Sequence, residues 1–302
     1  MSKSTLREAI AKGVVLLDGA MGTQLMVRGV APGTCNDRLN VESPELVQGI
    51  HEAYRQAGSD AIVTNTFGAN RYALARHGCA ERVVEINQAG VEVARRAAGE
   101  GGYVLGDIGP TGDFLEPLGT LQAGPLREAF AEQATALRDG GADAFIVETM
   151  TALEELEIAV EAVKSVAGDM PVLASMSFDA AAGDFRTMMG VDVASAVTKM
   201  LSLGVDAVGF NCGTASLAEY VELARRYAEE VRSRATDMVL FAEPNAGKPA
   251  LVDGQAVYKV TPEEFAIAAE TIVAAGFGAI GGCCGTAPAY IAALADRIKD
   301  SC

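Results

Sequence analysis

The segment GGADAFIVETM, residues 140–150, joins the end of a helical pattern to a short apolar run. Closely related joints recur at GVDAV, residues 204–208, and at GFGAI, residues 276–280. At each joint a glycine ends one helix, and the apolar residues that follow begin a strand. The repetition indicates that helices and strands alternate along the chain.

The same alternation extends outward from these joints over the whole chain. Eight apolar runs predict strands, at residues 14–17, 61–64, 103–106, 144–148, 172–178, 207–210, 238–243 and 277–282. Eight helical patterns follow them, at residues 44–57, 83–98, 126–139, 152–167, 191–203, 216–233, 262–275 and 287–299. Eight strands, each followed by a helix, are what a (β/α)8 TIM barrel requires. We therefore predict an α/β protein with one domain over residues 1–302.

Local signals agree with this pattern. Ser43-Pro44 and Thr261-Pro262 each put a capping side chain before a proline at the first helical turn. A doubly wound open sheet also alternates strands and helices, but it usually carries a glycine-rich phosphate loop after the first strand. The sequence contains neither GxGxxG nor GxxxxGK[ST]. The barrel is the better interpretation.

The net charge and the hydropathy of the chain argue against nucleic acids and membranes as binding partners. Forty acidic and 24 basic residues give a formal net charge of −16, which repels nucleic acid and anionic membranes. No apolar run approaches the ~18–20 residues that span a bilayer, and the first residues lack the apolar core of a signal peptide. We predict a cytoplasmic protein that acts on a small molecule. Its thiols would stay reduced there, which favours metal binding or catalysis over disulfides.

Polar residues follow the apolar runs, at the end of the barrel where active sites of this fold lie. Cys212 ends the sixth run in GFNCG, and Cys283 and Cys284 end the eighth in GGCCGT. Because the tops of these strands share one mouth, the three thiols can converge. Three thiolates suit zinc and leave a fourth tetrahedral position for substrate. Core packing and a strained vicinal disulfide are the alternatives for the adjacent pair.

Other candidates receive structural interpretations. Asn65 and Asp107 also follow strands, and we interpret them as residues that brace loops. His51 falls within a helical pattern and is expected on the helix surface. The remaining cysteines do not follow strands, and we expect them to be structural or to lie on the surface: Cys35, Cys79 and Cys302.

Over essentially its whole length the chain resembles the homocysteine S-methyltransferase family. The segments that carry the resemblance are LLDGAMGTQL (16–25), SDAIVTNTFGANRYALARHG (59–78), GDIGPTGDFLEPLG (106–119), IVET (146–149), GFNCG (209–213), EPNAGKP (243–249) and GGCCGT (281–286). The DIGPTG and EPNAGKP segments are most similar to the homocysteine-binding barrel of cobalamin-dependent methionine synthase. The resemblance implies that Cys212, Cys283 and Cys284 are zinc ligands and form the catalytic centre.

The resemblance also implies a substrate site. Glu148 matches the carboxylate that holds the homocysteine amino group, and the N–H groups around Ala20 and Met21 match those that receive its carboxylate. Asp18 stands at the head of that turn, and Asn245 matches an asparagine that fills the fourth zinc position until substrate arrives. Two alternatives remain from the residues themselves: Asp18 caps a helix that starts at Met21, and Glu148 is a helix-start carboxylate.

The implied reaction is zinc-dependent methyl transfer to homocysteine, giving methionine. The sequence lacks the DxHxxG motif of cobalamin-binding modules and has no room for a pterin-binding barrel. The donor is therefore expected to be a methyl-corrinoid (cobalamin), free or on a separate protein. S-methylmethionine as donor, a multi-component corrinoid system with another acceptor or a methoxy substrate, and a non-catalytic zinc or thiol sensor are the alternatives. Met188 and Met189 make the loop after the fifth strand more apolar than the family pattern.

Overall fold

The structure, a computed structural model, describes residues 4–181, 183–234, 237–252 and 255–300. Its centre is an eight-stranded sheet in which all neighbouring strands run parallel. The strands are β1 Val15–Leu16, β2 Ala61–Val63, β3 Tyr103–Ile108, β4 Ala144–Met150, β5 Val172–Met176, β6 Ala207–Asn211, β7 Val239–Glu243 and β8 Phe277–Ile280. They form a nearly closed barrel in the order β1-β8-β7-β6-β5-β4-β3-β2. The predicted (β/α)8 TIM barrel is confirmed.

One large helix follows each strand, within three residues of the predicted bounds. These helices are α1 Pro44–Gln56, α2 Val83–Ala98, α3 Ala123–Asp139, α4 Leu153–Ala167, α5 Val193–Ser202, α6 Leu217–Ser233, α7 Pro262–Ala274 and α8 Pro288–Asp300. Thr261 caps α7 in a full capping box, as predicted, whereas the Ser43 side chain makes no cap hydrogen bond to α1. Among the described residues, no helix is long and apolar enough to cross a membrane.

Several short elements lie outside the eight predicted strands and eight predicted helices; of these, only a helix from Met21 was considered, as an alternative. Helices lie at Leu6–Lys12, Met21–Val27, Leu39–Glu42 and Arg71–Ala75, with a 3₁₀ turn at Ala80–Arg82. Two hairpins pair Asp179–Ala181 with Asp184–Arg186, and Ala250–Val252 with Gln255–Val257. The first helix packs Leu6 against the apolar interior of the barrel and covers its lower end.

Three joints between a helix and the next strand carry an aspartate that bonds to the preceding strand. The N–H of Asp60, Asp143 or Asp206 donates to a carbonyl of the preceding strand at 2.7–2.8 Å. The side chain of the same aspartate accepts the N–H of that strand residue at 2.8–2.9 Å; the partners are Leu16, Val104 and Val172. Each joint therefore fixes the start of one strand against its neighbour.

β1 and β2 are the first and last strands of the sheet order, and no strand ladder joins them. We call the place where they meet the β1–β2 seam, and side-chain contacts of this kind hold it together. Asp60 joins them at the lower end through Leu16. At the upper end both carboxylate oxygens of Asp18 accept the N–H of Val63 at 3.3 Å. Two side chains thus complete the barrel where the strand ladder is missing.

Side-chain alternation along the strands gives the barrel a polar top. Leu105, Ile146 and Phe241 belong to its buried apolar interior. Because successive side chains on a strand alternate between faces, the residues two positions further on also point inward. These are Asp107, Glu148 and Glu243, which face a cavity at the barrel mouth.

Candidate metal and substrate site

The thiols of Cys212, Cys283 and Cys284 converge at the barrel mouth. Their sulfur atoms all lie within 4.8 Å of one another, and Cys212 Sγ is 3.9 Å from Cys284 Sγ. Tetrahedral zinc with Zn–S bonds of about 2.3 Å places its sulfur ligands about 3.8 Å apart. The spacing therefore fits a single zinc ion. This is the one cluster of three potential metal ligands in the described part of the chain.

An unusual backbone turn presents Cys212. Its φ is 55°, in the left-handed region, and the φ of Gly213 is 83°. A Cβ on Gly213 would lie 1.9 Å from the carbonyl oxygen of Phe178, so the close approach requires glycine. The Cys212 N–H donates to the Glu243 carbonyl at 3.1 Å, and the Tyr220 hydroxyl donates to the Cys212 carbonyl at 2.7 Å. These contacts hold a conformation that a residue with a side chain rarely adopts.

The adjacent cysteines lie in a loop that is bonded to the loop after β7. Cys283 N–H donates to the Pro244 carbonyl at 2.9 Å, and Ala246 N–H donates to the Cys284 carbonyl at 3.0 Å. Gly285 then takes a φ of 81°, which turns the chain away from the site. The paired cysteines are therefore fixed by backbone bonds on either side.

The three thiols cannot all ionise without a cation between them. Hydrogen bonds from Cys212 and Cys283 lower the pKa of the Cys284 thiol to about 3. Hydrogen bonds with Cys212 and Cys284, together with burial, raise the pKa of Cys283 well above its usual range. The hydrogen bond with Cys283 lowers the pKa of Cys212, but its bond with Cys284 and its burial outweigh this and raise the value to about 11. A divalent cation would compensate the charge that the protein alone cannot hold.

A cavity of about 340 Å³ opens beside the thiols, and we call it the thiol cavity. Its wall is acidic, and no lysine or arginine is among the described residues that line it. Burial raises the pKa of Asp37 to about 6. The carboxylates in the wall are Asp18, Asp37, Asp107, Glu148 and Glu243.

Glu148 is oriented by Asn211, which sequence reasoning missed. Asn211 Nδ2 donates to Glu148 Oε2 at 3.3 Å and to the Thr149 hydroxyl at 2.6 Å, while its Oδ1 accepts the Thr149 N–H at 2.8 Å. Burial and the nearby Cys212 thiol raise the pKa of Glu148 to about 8, and a hydrogen bond with Glu243 opposes them. Glu148 lies within β4 and not at a helix start, so the alternative interpretation of this residue is wrong.

Asp18 lines the thiol cavity and also holds the β1–β2 seam. The helix that starts at Met21 has Ala20 at its N-cap and no side-chain cap bond, so the alternative role of Asp18 as a cap is wrong. The prediction for His51 is also wrong. His51 is fully buried, and its Nδ1 lies 3.8 Å from Asp18 Oδ2. It shares the inward face of α1 with Val47, and burial of that face outweighs the polarity of the imidazole.

The predicted carboxylate-binding turn is only partly available. Ala20 and Met21 both line the thiol cavity. However, the Ala20 N–H already donates to Thr286 Oγ1 at 3.1 Å, which corrects the expectation for that group. Met21 is the first residue of a helix, where backbone N–H groups have no partner within the helix. Gly19 allows this packing, because a Cβ there would lie 2.7 Å from Thr286 Oγ1.

Asn245 is buried beside the thiol cluster, outside the residues that line the cavity. Its Nδ2 donates to the Gly213 carbonyl at 2.7 Å, which ties it to the turn that presents Cys212. Its Oδ1 is buried and has no hydrogen-bond partner among the described residues. An oxygen left without a donor is suited to a cation.

The other candidates have mainly structural positions. Asn65 Nδ2 donates to the Asn36 carbonyl and to Asn40 Oδ1, which confirms its bracing role. Cys35 and Cys79 share a small buried apolar cluster, although Cys35 also lines the thiol cavity. Cys302 lies outside the described residues.

Met188 and Met189 line a second cleft, of about 540 Å³, that meets the thiol cavity at Thr149. Its wall is largely apolar and includes Phe114 and Leu118. Met188 and Leu118 are 65% and 72% exposed, so apolar side chains face solvent beside the site. The more apolar loop noted in the sequence therefore borders the barrel mouth.

The structure thus defines a TIM barrel with three convergent thiols beside an acidic cavity, a site that could hold a metal ion. The family model for homocysteine S-methyltransferase matches residues 15–298, and the chain belongs to this family. Over 98% of this chain the sequence is 37% identical to a methionine synthase of Mycobacterium tuberculosis. Over 97% of this chain it is 35% identical to a methionine synthase of Mycobacterium leprae. In each case the chain spans only 25% of the relative.

Solved structures agree with this assignment. The metallated form of the homocysteine methyltransferase MmuM from Escherichia coli superposes with a TM-score of 0.77 at 26% identity, covering 97% of this chain and 99% of that one. Its oxidized form superposes with a TM-score of 0.73 at 27% identity, covering 94% and 96%.

Proposed function

We propose that the chain is a zinc-dependent methyltransferase that methylates homocysteine to methionine. The observation that carries the proposal is the convergence of Cys212, Cys283 and Cys284 at the edge of a cavity that also contains Glu148. Cys212, Cys283 and Cys284 would hold zinc, and the bound cation would lower the pKa of a substrate thiol, so that its proton is lost to solvent and the thiolate is a nucleophile at neutral pH. Asn245 Oδ1 is the further group of this chain available to the metal before substrate binds.

The remaining residues bind and orient the amino acid. Glu148, held by Asn211, accepts the ammonium group, and the N–H groups at Met21 and beyond receive the carboxylate. Asp18 fixes the seam from which this turn begins. A volume of about 340 Å³ is sufficient for one amino acid. The substrate is thereby aligned with its sulfur toward the three cysteines.

Methyl transfer itself requires no further acid or base. An electron pair on the substrate sulfur forms the new S–CH3 bond, and the bond between the methyl group and its carrier breaks with its pair left on the carrier. A methyl-corrinoid, free or on a separate protein, is the donor we favour, because the DIGPTG and EPNAGKP segments resemble the barrel of cobalamin-dependent methionine synthase. S-methylmethionine is the competing donor, because a sulfonium compound also carries a methyl group that a thiolate can accept.

The test is methionine formation from homocysteine with methylcobalamin and, in parallel, with S-methylmethionine. Cys212→Ala should abolish turnover with either donor. Cys35→Ser, which alters a cysteine in the same cavity but outside the cluster, should leave turnover within about two-fold of wild type. Turnover with neither donor by zinc-loaded protein would refute the proposal.

A further inference from the structure

Tyr258 packs against the loop that carries the paired cysteines. Gly285 directly follows Cys284 and has a φ of 81°. A Cβ on Gly285 would lie 2.2 Å from Cγ of Tyr258 and 2.4 Å from its Cδ2, so the aromatic ring rests on the glycine backbone. The ring as well as the turn therefore requires glycine at this position. This contact places Tyr258 beside the thiol cluster.

The hydroxyl group of Tyr258 donates a hydrogen bond to the sulfur of Cys284. A phenol keeps its proton at neutral pH and has one hydrogen to donate, whereas a thiolate can only accept. Tyr258 is not among the described residues that line the thiol cavity. The hydroxyl thus reaches the sulfur from outside the cavity and leaves the space inside it to the substrate.

The segment that carries Tyr258 is anchored two residues further along the chain. The Tyr290 hydroxyl of α8 donates to the Val260 carbonyl at 2.7 Å. The Val260 side chain packs on Gly247, where a Cβ would lie 2.6 Å from Val260 Cγ2. Because these contacts and the ring packing do not involve the Tyr258 hydroxyl, its removal should leave the segment in place.

We propose that Tyr258 is a positioning residue for the metal centre, whose hydroxyl orients the Cys284 sulfur and stabilises the negative charge on it. This inference rests on the proposed function and adds to it a residue that acts through Cys284. Three thiolates more than neutralise a divalent cation, so the site carries surplus negative charge. A charge-assisted hydrogen bond to one sulfur stabilises that charge, and outer partners of this kind orient metal ligands and affect how strongly the metal binds.

The experiment compares Tyr258→Phe with Tyr290→Phe in the full chain, loaded with cobalt(II) as a spectroscopic substitute for zinc. Tyr258→Phe keeps the ring on Gly285 and removes only the donor. Because the sulfur lone pairs then lose their stabilisation, the thiolate-to-cobalt charge-transfer band should move to longer wavelength. Zinc affinity, measured by chelator competition, should fall about 10-fold or more.

Tyr290→Phe is the matched control, because it removes a hydroxyl from the same region whose hydrogen bond goes to a backbone carbonyl and not to sulfur. Its cobalt spectrum and zinc affinity should equal those of wild type, although its melting temperature should fall. An unshifted band in Tyr258→Phe would overturn the proposal. Equal changes in both variants would also overturn it, because they would assign the effect to the segment and not to the hydroxyl.

The spectroscopic readout distinguishes this proposal from the proposed function. A shifted band in Tyr258→Phe supports the role of Tyr258 even if no methionine forms with either donor. Methionine formation with an unshifted band refutes the role of Tyr258 alone. Wild-type protein that binds neither cobalt nor zinc would overturn both proposals.

Discussion

The role of the turn that presents Cys212 can be tested by substituting Gly213, because Gly183 has almost the same backbone conformation without the crowding. Gly213 has a φ of 83°, and a Cβ there would lie 1.9 Å from the Phe178 carbonyl oxygen. Gly183 has a φ of 82°, with nothing within 4 Å of its Cβ position. Substituting alanine at Gly183 therefore imposes only the left-handed backbone conformation. The same substitution at Gly213 adds a collision with the backbone.

The two effects have separable magnitudes. A left-handed conformation costs a residue with a Cβ about 1–2 kcal/mol. Relieving the collision requires a shift of more than about 1 Å, and overpacking of this kind costs a further 1–3 kcal/mol or so. We expect Gly183→Ala to lose about 1–2 kcal/mol and Gly213→Ala about 2–5 kcal/mol. At about 2–4 °C per kcal/mol, the melting temperatures should differ by several degrees.

The assay is thermal unfolding of both metal-free variants, followed by measurement of their zinc content after reconstitution. The shift in Gly213→Ala moves Cys212 away from Cys284, so this variant should also bind zinc more weakly. Gly183→Ala should bind zinc as wild type does. Equal losses of stability in the two variants, with full zinc in both, would refute the role given to this turn.

Three further substitutions test the seam, a buried carboxylate and the metal environment. Asp60→Ala should lower the free energy of unfolding, measured in urea, by about 2–4 kcal/mol. Asp206→Ala should lower it less, because β5 and β6 are also joined by a strand ladder. Equal losses in the two variants would contradict the proposed role of Asp60 in joining β1 to β2. The pKa of Asp37 is raised from 3.8 to about 6, so the folded state binds more protons and stability falls as pH rises through this range. Asp37→Asn should remove up to about 3 kcal/mol of this pH-dependent loss of stability. If wild type and Asp37→Asn lose stability with pH in parallel, the raised pKa of Asp37 is contradicted. Asn245→Ala should weaken zinc binding about 10- to 100-fold in chelator competition, whereas Asn65→Ala should reduce stability alone; unchanged zinc affinity in Asn245→Ala would exclude it as a metal-facing group.

Much of the fold is visible in the sequence because its joints repeat. Glycine and aspartate at 141–143 and 204–206 mark both the end of a helix and the bonds that fix the next strand. The short hairpins were missed because three-residue strands carry too few side chains to show alternation. The helix Leu6–Lys12 has only one fully buried residue, Leu6, so its pattern is weak.

The sequence predicts site residues well when their type is unusual for their position, and less well when only their place in the fold gives them a role. The three cysteines stand out by type and by their place after strands. Asp107 was noted after a strand but interpreted as bracing a loop, and Glu243 was not noted; alternation with Leu105 and Phe241 indicates that both point inward. His51 lies one turn from Val47 and Tyr54, which does indicate a buried face. The occupied N–H of Ala20 depends on Thr286, 266 residues away, and no local pattern reveals such a contact.

We propose above that Cys212, Cys283 and Cys284 together hold zinc. The most direct measurement is metal content of protein purified without chelator, for wild type, Cys212→Ala and Cys35→Ser. We predict about one zinc per chain in wild type and in Cys35→Ser, and almost none in Cys212→Ala. Wild-type protein that binds no zinc on reconstitution, or Cys212→Ala that retains a full complement, would contradict the claim.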